Sequence, residues 1–165
     1  MREAVSNNNP WNIIISSPLV RCAAFAEELS QRHQIAIEYD DRIKEIGWGD
    51  WEGKTPAEIN EADPDAVARA LAEPDKHRPV NAESVHDFRL RISEAWQDIT
   101  ATHSDKHILI VAHAGVIRAV LTDILNTPIE NMFRIHVPNA SITRIHIDNP
   151  KEKPFPKLMF HGGKI

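Results

Sequence analysis

The 165-residue chain is long enough for one domain with a sizeable core, and its 42 % apolar and 26 % charged residues are those of an ordinary soluble globular protein. A formal net charge of -5 implies no basic face, which argues against a nucleic-acid partner and requires any anionic ligand to be held by a local pocket. The single cysteine, Cys22, excludes an internal disulfide and fits a reducing cytosol, no apolar run is long enough to span a membrane, and the first residues lack the apolar core of a signal peptide, so a cytoplasmic location is expected.

In chain order, Met1 to Val5 suit the end of a helix and Ser6 to Asn9 stop it. Asn12 to Ser16 reads as a short buried strand. Ser17-Pro18 then predicts a helix start, Ser as N-cap and Pro at the first helical position. Leu19, Cys22, Ala23, Ala26 and Leu29 give that helix its apolar face to about His33. Ile35 to Tyr39 is a second strand. Asp40 to Gly53, with Gly47, Gly49, Gly53, Trp48 and Trp51, predicts a loop with fixed aromatic anchors. Thr55-Pro56-Ala57-Glu58 is a capping box, and helix continues, broken at Pro64, to Ala72. Glu73 to Ala82 is a polar surface loop. Ser84 to Thr102 is an amphipathic helix with Val85, Phe88, Ile92, Trp96 and Ile99 on one face. Ile108 to Ala112 is an unbroken apolar run, expected as a strand buried on both faces. The next helix carries Val116, Ile117, Val120, Leu121, Ile124 and Leu125, and Pro128 ends its region. Phe133 to Val137 and Ser141 to Ile147 read as strands around Pro138-Asn139-Ala140. Pro150, Pro154 and Pro156 mark a loop, and Lys157 to His161 a last edge strand. Alternating strands and helices predict one α/β domain over residues 1–165, a three-layer α/β/α sandwich with a mostly parallel sheet.

His113 stands where a buried strand stops and a helix begins, across the turn Ala114-Gly115. That edge of an open sheet is where ligands bind, and the free N–H groups of the helix favour an anion. Arg21 projects from the same edge and can grip a phosphate with two hydrogen bonds; Ser16 can add a hydroxyl. Glu45, in the tryptophan-rich loop, can donate a proton to a leaving group. Glu52 and Glu83 are weaker candidates for that role. No His, Cys or Asp cluster has metal-ligand spacing, so neither metal nor cofactor is expected.

In this order, Ser16-Ser17-Pro18-Leu19-Val20-Arg21, Glu45 through Gly53, Ala82-Glu83-Ser84, Val111-Ala112-His113-Ala114-Gly115-Val116-Ile117-Arg118 and Asn139-Ala140-Ser141-Ile142 resemble the histidine phosphatase, or phosphoglycerate-mutase-like, family. The resemblance runs from Asn12 to Ile147 and is nearest to the small bacterial phosphatases, α-ribazole phosphatases among them. Ala82 and Ala114 stand where the family often has Gly. The resemblance implies a metal-independent reaction in which one histidine attacks a phosphomonoester and the resulting phosphohistidine is hydrolysed. It implies that Arg21 holds phosphoryl oxygens, that His113 stabilises them through the transition state, and that Glu45 protonates the departing alkoxide.

The family's attacking histidine lies in an Arg-His-Gly motif after the first strand, and these residues contain no such motif. Arg32-His33-Gln34 sits at a helix end, and His161-Gly162-Gly163 lies near the other end of the chain. A βαβ unit takes roughly 30 residues, more than precede Asn12, so the expectation is that the first βα unit is missing, by truncation as the simplest account or, alternatively, because a natural protein has lost it and works without it. An exposed edge beside Ile108 to Ala112 is then expected to pair with another chain, as a dimer or a strand swap. Three readings follow. The first is a phosphomonoesterase by descent that is catalytically disabled. The second is a binding module for a phosphorylated small molecule or a phosphate or sulfate anion, or for a protein partner. The third is an enzyme with a replacement nucleophile such as His161. A mutase-type phosphoryl transfer stays open beside hydrolysis.

Overall fold

The computed structural model describes residues 10–149 and 151–164. The expected helix over Met1 to Val5, the loop over Ser6 to Asn9 and Pro150 lie outside them. Strands β1 (Ile13–Ser16), β2 (Ala36–Tyr39) and β3 (Ile108–Val111) form a parallel sheet in the order β2-β1-β3. Helices α1 (Val20–His33), α2 (Pro56–Ala62), α3 (Ala66–Ala72), α4 (Val85–Thr102) and α5 (Ala114–Ile124) follow the expected succession. The period of two in β1 makes the layers. Ile14 joins Cys22, Ala26 and Leu29 of α1 on one face, while Ile13 and Ile15 join Phe88, Ile92, Val116 and Ala119 of α4 and α5 on the other. The protein is thus an α/β fold with helices on both faces of a parallel sheet.

The Thr55 capping box forms as read: Thr55 Oγ1 accepts from Glu58 N, and the Glu58 carboxylate accepts from Thr55 N at 2.7 Å. Ser84 caps α4 by accepting from Asp87 N.

Four sequence expectations are corrected. Ser17 does not cap α1; the helix begins at Val20 with Leu19 as cap, because the Ser17 hydroxyl is engaged by His113. β3 is covered on both faces, Ile108 and Ile110 by the cluster with α4 and α5 and Leu109 and Val111 by the cluster with α1, but it is not fully buried: Ile108, Leu109 and Ile110 are half-buried because among the described residues β3 pairs with β1 alone. Phe133 to Val137 is not a strand. A 3-10 helix spans Ile129–Arg134, burying Ile129 and Met132 against α4 and α5. The final strand is longer than Lys157 to His161: β5 (Phe155–Lys164) pairs antiparallel with β4 (Ser141–Asp148) in a separate two-stranded sheet that absorbs Pro156. A two-stranded ribbon has an outer edge on every strand, so a residue without N–H is tolerated there.

Candidate active site

β1 and β3 are neighbours in register, Ser16 opposite Val111, so the turns that leave them lie side by side. Ser17 and Arg21 come from the first and His113 from the second. The His113 ring is buried and bonded at both nitrogens: Arg21 Nε donates to Nδ1 at 3.1 Å, and Nε2 lies 2.8 Å from Ser17 Oγ. A guanidinium only donates, so Nδ1 is the acceptor, Nε2 carries the proton, and Ser17 Oγ receives it. Burial, then the charges of Arg21 and Arg91, push the His113 pKa down to about 4, which keeps the ring neutral in the closed site. Cys22 packs 3.6 to 3.7 Å from the two ring nitrogens and donates to Ala112 O; burial raises its thiol pKa, so it serves as packing and not as a thiolate.

Glu45 reaches the same place from the loop after β2. Its carboxylate accepts from Gly115 N at 3.2 Å, in the first turn of α5, and from Ile46 N at 3.1 Å. Glu45 thus sits at the N-terminus of α5. Gly115 is required by this approach, since a Cβ at that position would lie 2.1 Å from Glu45 Oε1. Trp48 anchors the loop as expected: it packs against the core, stacks on Trp51 with centroids 6.1 Å apart and leans on Phe133.

The structure therefore brings Arg21, His113 and Glu45 to one edge. It does not bring Ser16 into the cluster. Ser16 is fully buried at the end of β1, and its hydroxyl donates to Ser17 O. Glu83 is not aimed at the site either. Both its oxygens are held by Arg91, at 2.6 and 2.7 Å, and one also accepts from Gly47 N. Glu52 accepts from Trp48 N within its own turn.

Two contributors escaped the sequence reading. Ser17 carried a strong helix-cap signature that hid its contact with His113. Arg91 looks like one more cation on an amphipathic helix, yet its guanidinium also donates to the carbonyls of Arg42, Lys44 and Glu45. It thereby ties down the backbone that carries Glu45. The available signal was its position one residue before Ile92 and three after Phe88, on the border of the buried stripe of α4. Arg91 in fact packs over the Phe88 ring, 4.6 Å from its centroid.

Among the described residues, neither alternative histidine is hydrogen-bonded to Arg21, His113 or Glu45. His33 ends α1, twelve residues after Arg21 and so about 18 Å along the helix. His161 sits in β5 with Nδ1 2.8 Å from Thr143 Oγ1 and Nε2 2.8 Å from His136 O.

Comparison with known proteins gives a consistent answer. A protein of Hydrogenobacter thermophilus provisionally named phosphoserine phosphatase 2 is 33 % identical over 140 residues, covering 85 % of this chain and 68 % of its own length. This chain spans about two thirds of the length of such curated relatives. The solved structure of Bacillus stearothermophilus YhfR superposes with a TM-score of 0.83 at 28 % identity, over 95 % of this chain and 76 % of that one. A mycobacterial glucosyl-3-phosphoglycerate phosphatase, Rv2419c, in complex with VO3 superposes with a TM-score of 0.84 at 27 % identity, over 98 % and 81 %. No helix among the described residues is long and apolar enough to cross a membrane. The profile of the histidine phosphatase superfamily (branch 1) matches residues 1–154, and the chain belongs to that family.

Proposed function

We propose that this chain is the phosphate-holding and proton-donating part of a metal-independent phosphomonoester hydrolase of the phosphohistidine type, and that these 165 residues alone bind a phosphoryl group without cleaving its ester. The observation that carries the reading is the convergence of Arg21 and Ser17 on His113, beside the end of α5 that holds Glu45. In the reaction, an attacking imidazole forms a bond to phosphorus as the ester P–O bond breaks. Arg21 and the α5 N–H groups hold the equatorial oxygens, and His113 donates a hydrogen bond to one of them. Glu45 delivers a proton to the departing alkoxide. Water then displaces the imidazole from phosphorus, and Glu45 recovers a proton from that water. On this reading the attacking imidazole is neither His33, about 18 Å along α1 from Arg21, nor His161, whose two ring nitrogens are engaged by Thr143 and by His136 O. The phosphate and vanadate complexes of the mycobacterial neighbour, an anion and an analogue of the transition state, support the choice of ligand class. The substrate is a small phosphorylated molecule, with hydrolysis favoured over transfer because the loop Glu73 to Ala82 is short. The open edge of β3 is where a second copy of the chain would pair.

The test has two arms. Calorimetric titration with orthovanadate is expected to show saturable binding that is lost in Arg21→Ala and His113→Ala. Hydrolysis of p-nitrophenyl phosphate is expected to stay at background in these residues and to appear when a strand–Arg-His-Gly–helix segment is joined before Asn12. Vanadate binding without recovery on joining that segment would favour a binding module. Turnover by the 165 residues that is abolished by His161→Ala would favour a replacement nucleophile. Sedimentation at micromolar concentration, expected to give a dimer, tests the β3 edge.

A further inference from the structure

Away from the residues assigned above, three ligating side chains from distant parts of the sequence meet at the surface. Asp75 lies in the loop between α3 and α4, His86 in the first turn of α4, and Glu130 at the start of the 3-10 helix Ile129–Arg134. One donor atom from each lies within 4.8 Å of the others. His86 Nε2 is 3.0 Å from an Asp75 carboxylate oxygen and 3.3 Å from one of Glu130. Neither carboxylate has another ion-pair partner among the described residues, so both converge on the same nitrogen. A proton on His86 balances only one of the two carboxylate charges. A divalent cation balances both and takes a ligand from all three residues.

We propose that Asp75, His86 and Glu130 form a binding site for a divalent transition metal of the Zn2+ class. One imidazole nitrogen and two carboxylate oxygens make a borderline donor set of the kind Zn2+ accepts, with a fourth position left for water. The three residues are far apart in the sequence, which is why no ligand spacing announces the site. The metal is a clip and not a catalyst. It ties the loop after α3 to α4 and to the 3-10 helix. That loop ends on Val80 to Glu83, whose backbone packs against Gly49 and accepts and donates hydrogen bonds with the loop carrying Glu45: Asp50 N donates to Val80 O at 3.0 Å and Glu83 N to Gly47 O at 2.9 Å. An ion that binds the assembled site and not the unfolded chain raises stability by its binding free energy.

The proposal is independent of the phosphatase reading and is tested without any activity. Zinc chloride is titrated calorimetrically into the metal-free full chain and into His86→Ala, Asp75→Asn and Glu130→Gln, all surface substitutions with small expected effects on folding. The expected result is one ion per chain in the parent and affinity about tenfold or more weaker in each variant. His146→Ala, which removes another surface histidine–carboxylate pair, and Cys22→Ser should bind as the parent does. Zinc should raise the melting temperature of the parent and not of His86→Ala. Absence of saturable binding, binding unaffected by His86→Ala or Asp75→Asn, or binding lost in Cys22→Ser would each overturn it.

Discussion

Gly115→Ala separates the contact with Glu45 from ordinary helix behaviour. In the interior of an exposed helix this change is expected to stabilise by about 1 kcal/mol, because alanine is the better helix former. At Gly115 the new Cβ would stand 2.1 Å from Glu45 Oε1 and 3.3 Å from Phe88 Cζ. The aromatic ring needs to give only a few tenths of an ångström. The carboxylate cannot stay, and leaving breaks its bond from Gly115 N. A hydrogen bond to a charged group contributes ~1.5 to 3 kcal/mol. Set against the helix gain, the expected net loss is ~0.5 to 2 kcal/mol, opposite in sign to the exposed-helix value. Equilibrium urea unfolding of the parent, Gly115→Ala, Glu45→Ala and the double variant closes a thermodynamic cycle. In the Glu45→Ala background, alanine at 115 should be neutral or stabilising. A Gly115→Ala protein more stable than the parent would refute the reasoning, and so would an equal loss in both backgrounds, since the cost would then come from Phe88.

Gly49→Ala should be more damaging. Gly49 has φ +54, and its Cβ would lie 2.2 to 2.4 Å from backbone atoms of Val80, Asn81 and Ala82, which cannot rotate away; a loss of about 3 kcal/mol or more is expected in the same urea assay. Arg91→Ala leaves the half-buried Glu83 carboxylate and three carbonyls without their donor, for a loss of ~3 kcal/mol, and Arg91→Lys should not restore it because one ammonium cannot span those acceptors. His113 gives a pH signature. Its folded pKa is about 4 against an ordinary 6.5, so the unfolded chain takes up a proton in this interval that the native chain refuses. Stability is therefore full above pH 6.5 and falls towards pH 4 by ~3 kcal/mol, and unfolding curves of His113→Gln should lack that slope.

The order of elements and the place of His113 at a strand end were legible because each rests on a local pattern, whereas Arg21 and Glu45 stood out only through the family resemblance. The apolar run before His113, the Thr55 box and the stripe of α4 are set by periodicity and capping chemistry alone. The errors arise where tertiary contacts override local preference. Ser17-Pro18 is a good helix start, but a buried imidazole at 2.8 Å offers the hydroxyl a better partner than the helix N–H groups do. Phe133 to Val137 has strand composition, yet Ile129 and Met132 gain more by turning into the core between α4 and α5. Ile108 to Ile110 look fully buried because an apolar run records composition and not the number of neighbouring strands. Arg91 announced itself only by its place on the border of the α4 stripe; three of its acceptors are backbone carbonyls that any residue at 42, 44 and 45 would present, and the fourth partner, Glu83, lies eight residues away.

The arrangement around His113 bears on what kind of histidine it is. A serine at 2.8 Å from an imidazole resembles the start of a nucleophilic dyad. In such a dyad the third group accepts a proton bond from the far nitrogen, which leaves the near nitrogen free to take the serine proton. Here the third group is Arg21, which donates to the far nitrogen. The near nitrogen is thus already protonated and cannot act as base toward Ser17. The same inversion suits an anion. On the proposed reading, an entering phosphoryl group takes the donors of Arg21, and the His113 Nε2–H turns its hydrogen bond from Ser17 Oγ to an oxygen of the ligand. Arg21, Ser17 and His113 hang on two adjacent strands, whereas Glu45 is held from α4 by Arg91 and from α5 by Gly115. Damage to the Arg91 clamp should therefore displace Glu45, the proposed proton donor, while leaving anion binding at Arg21 and His113 in place, a separation that vanadate titration of Arg91→Ala reads directly.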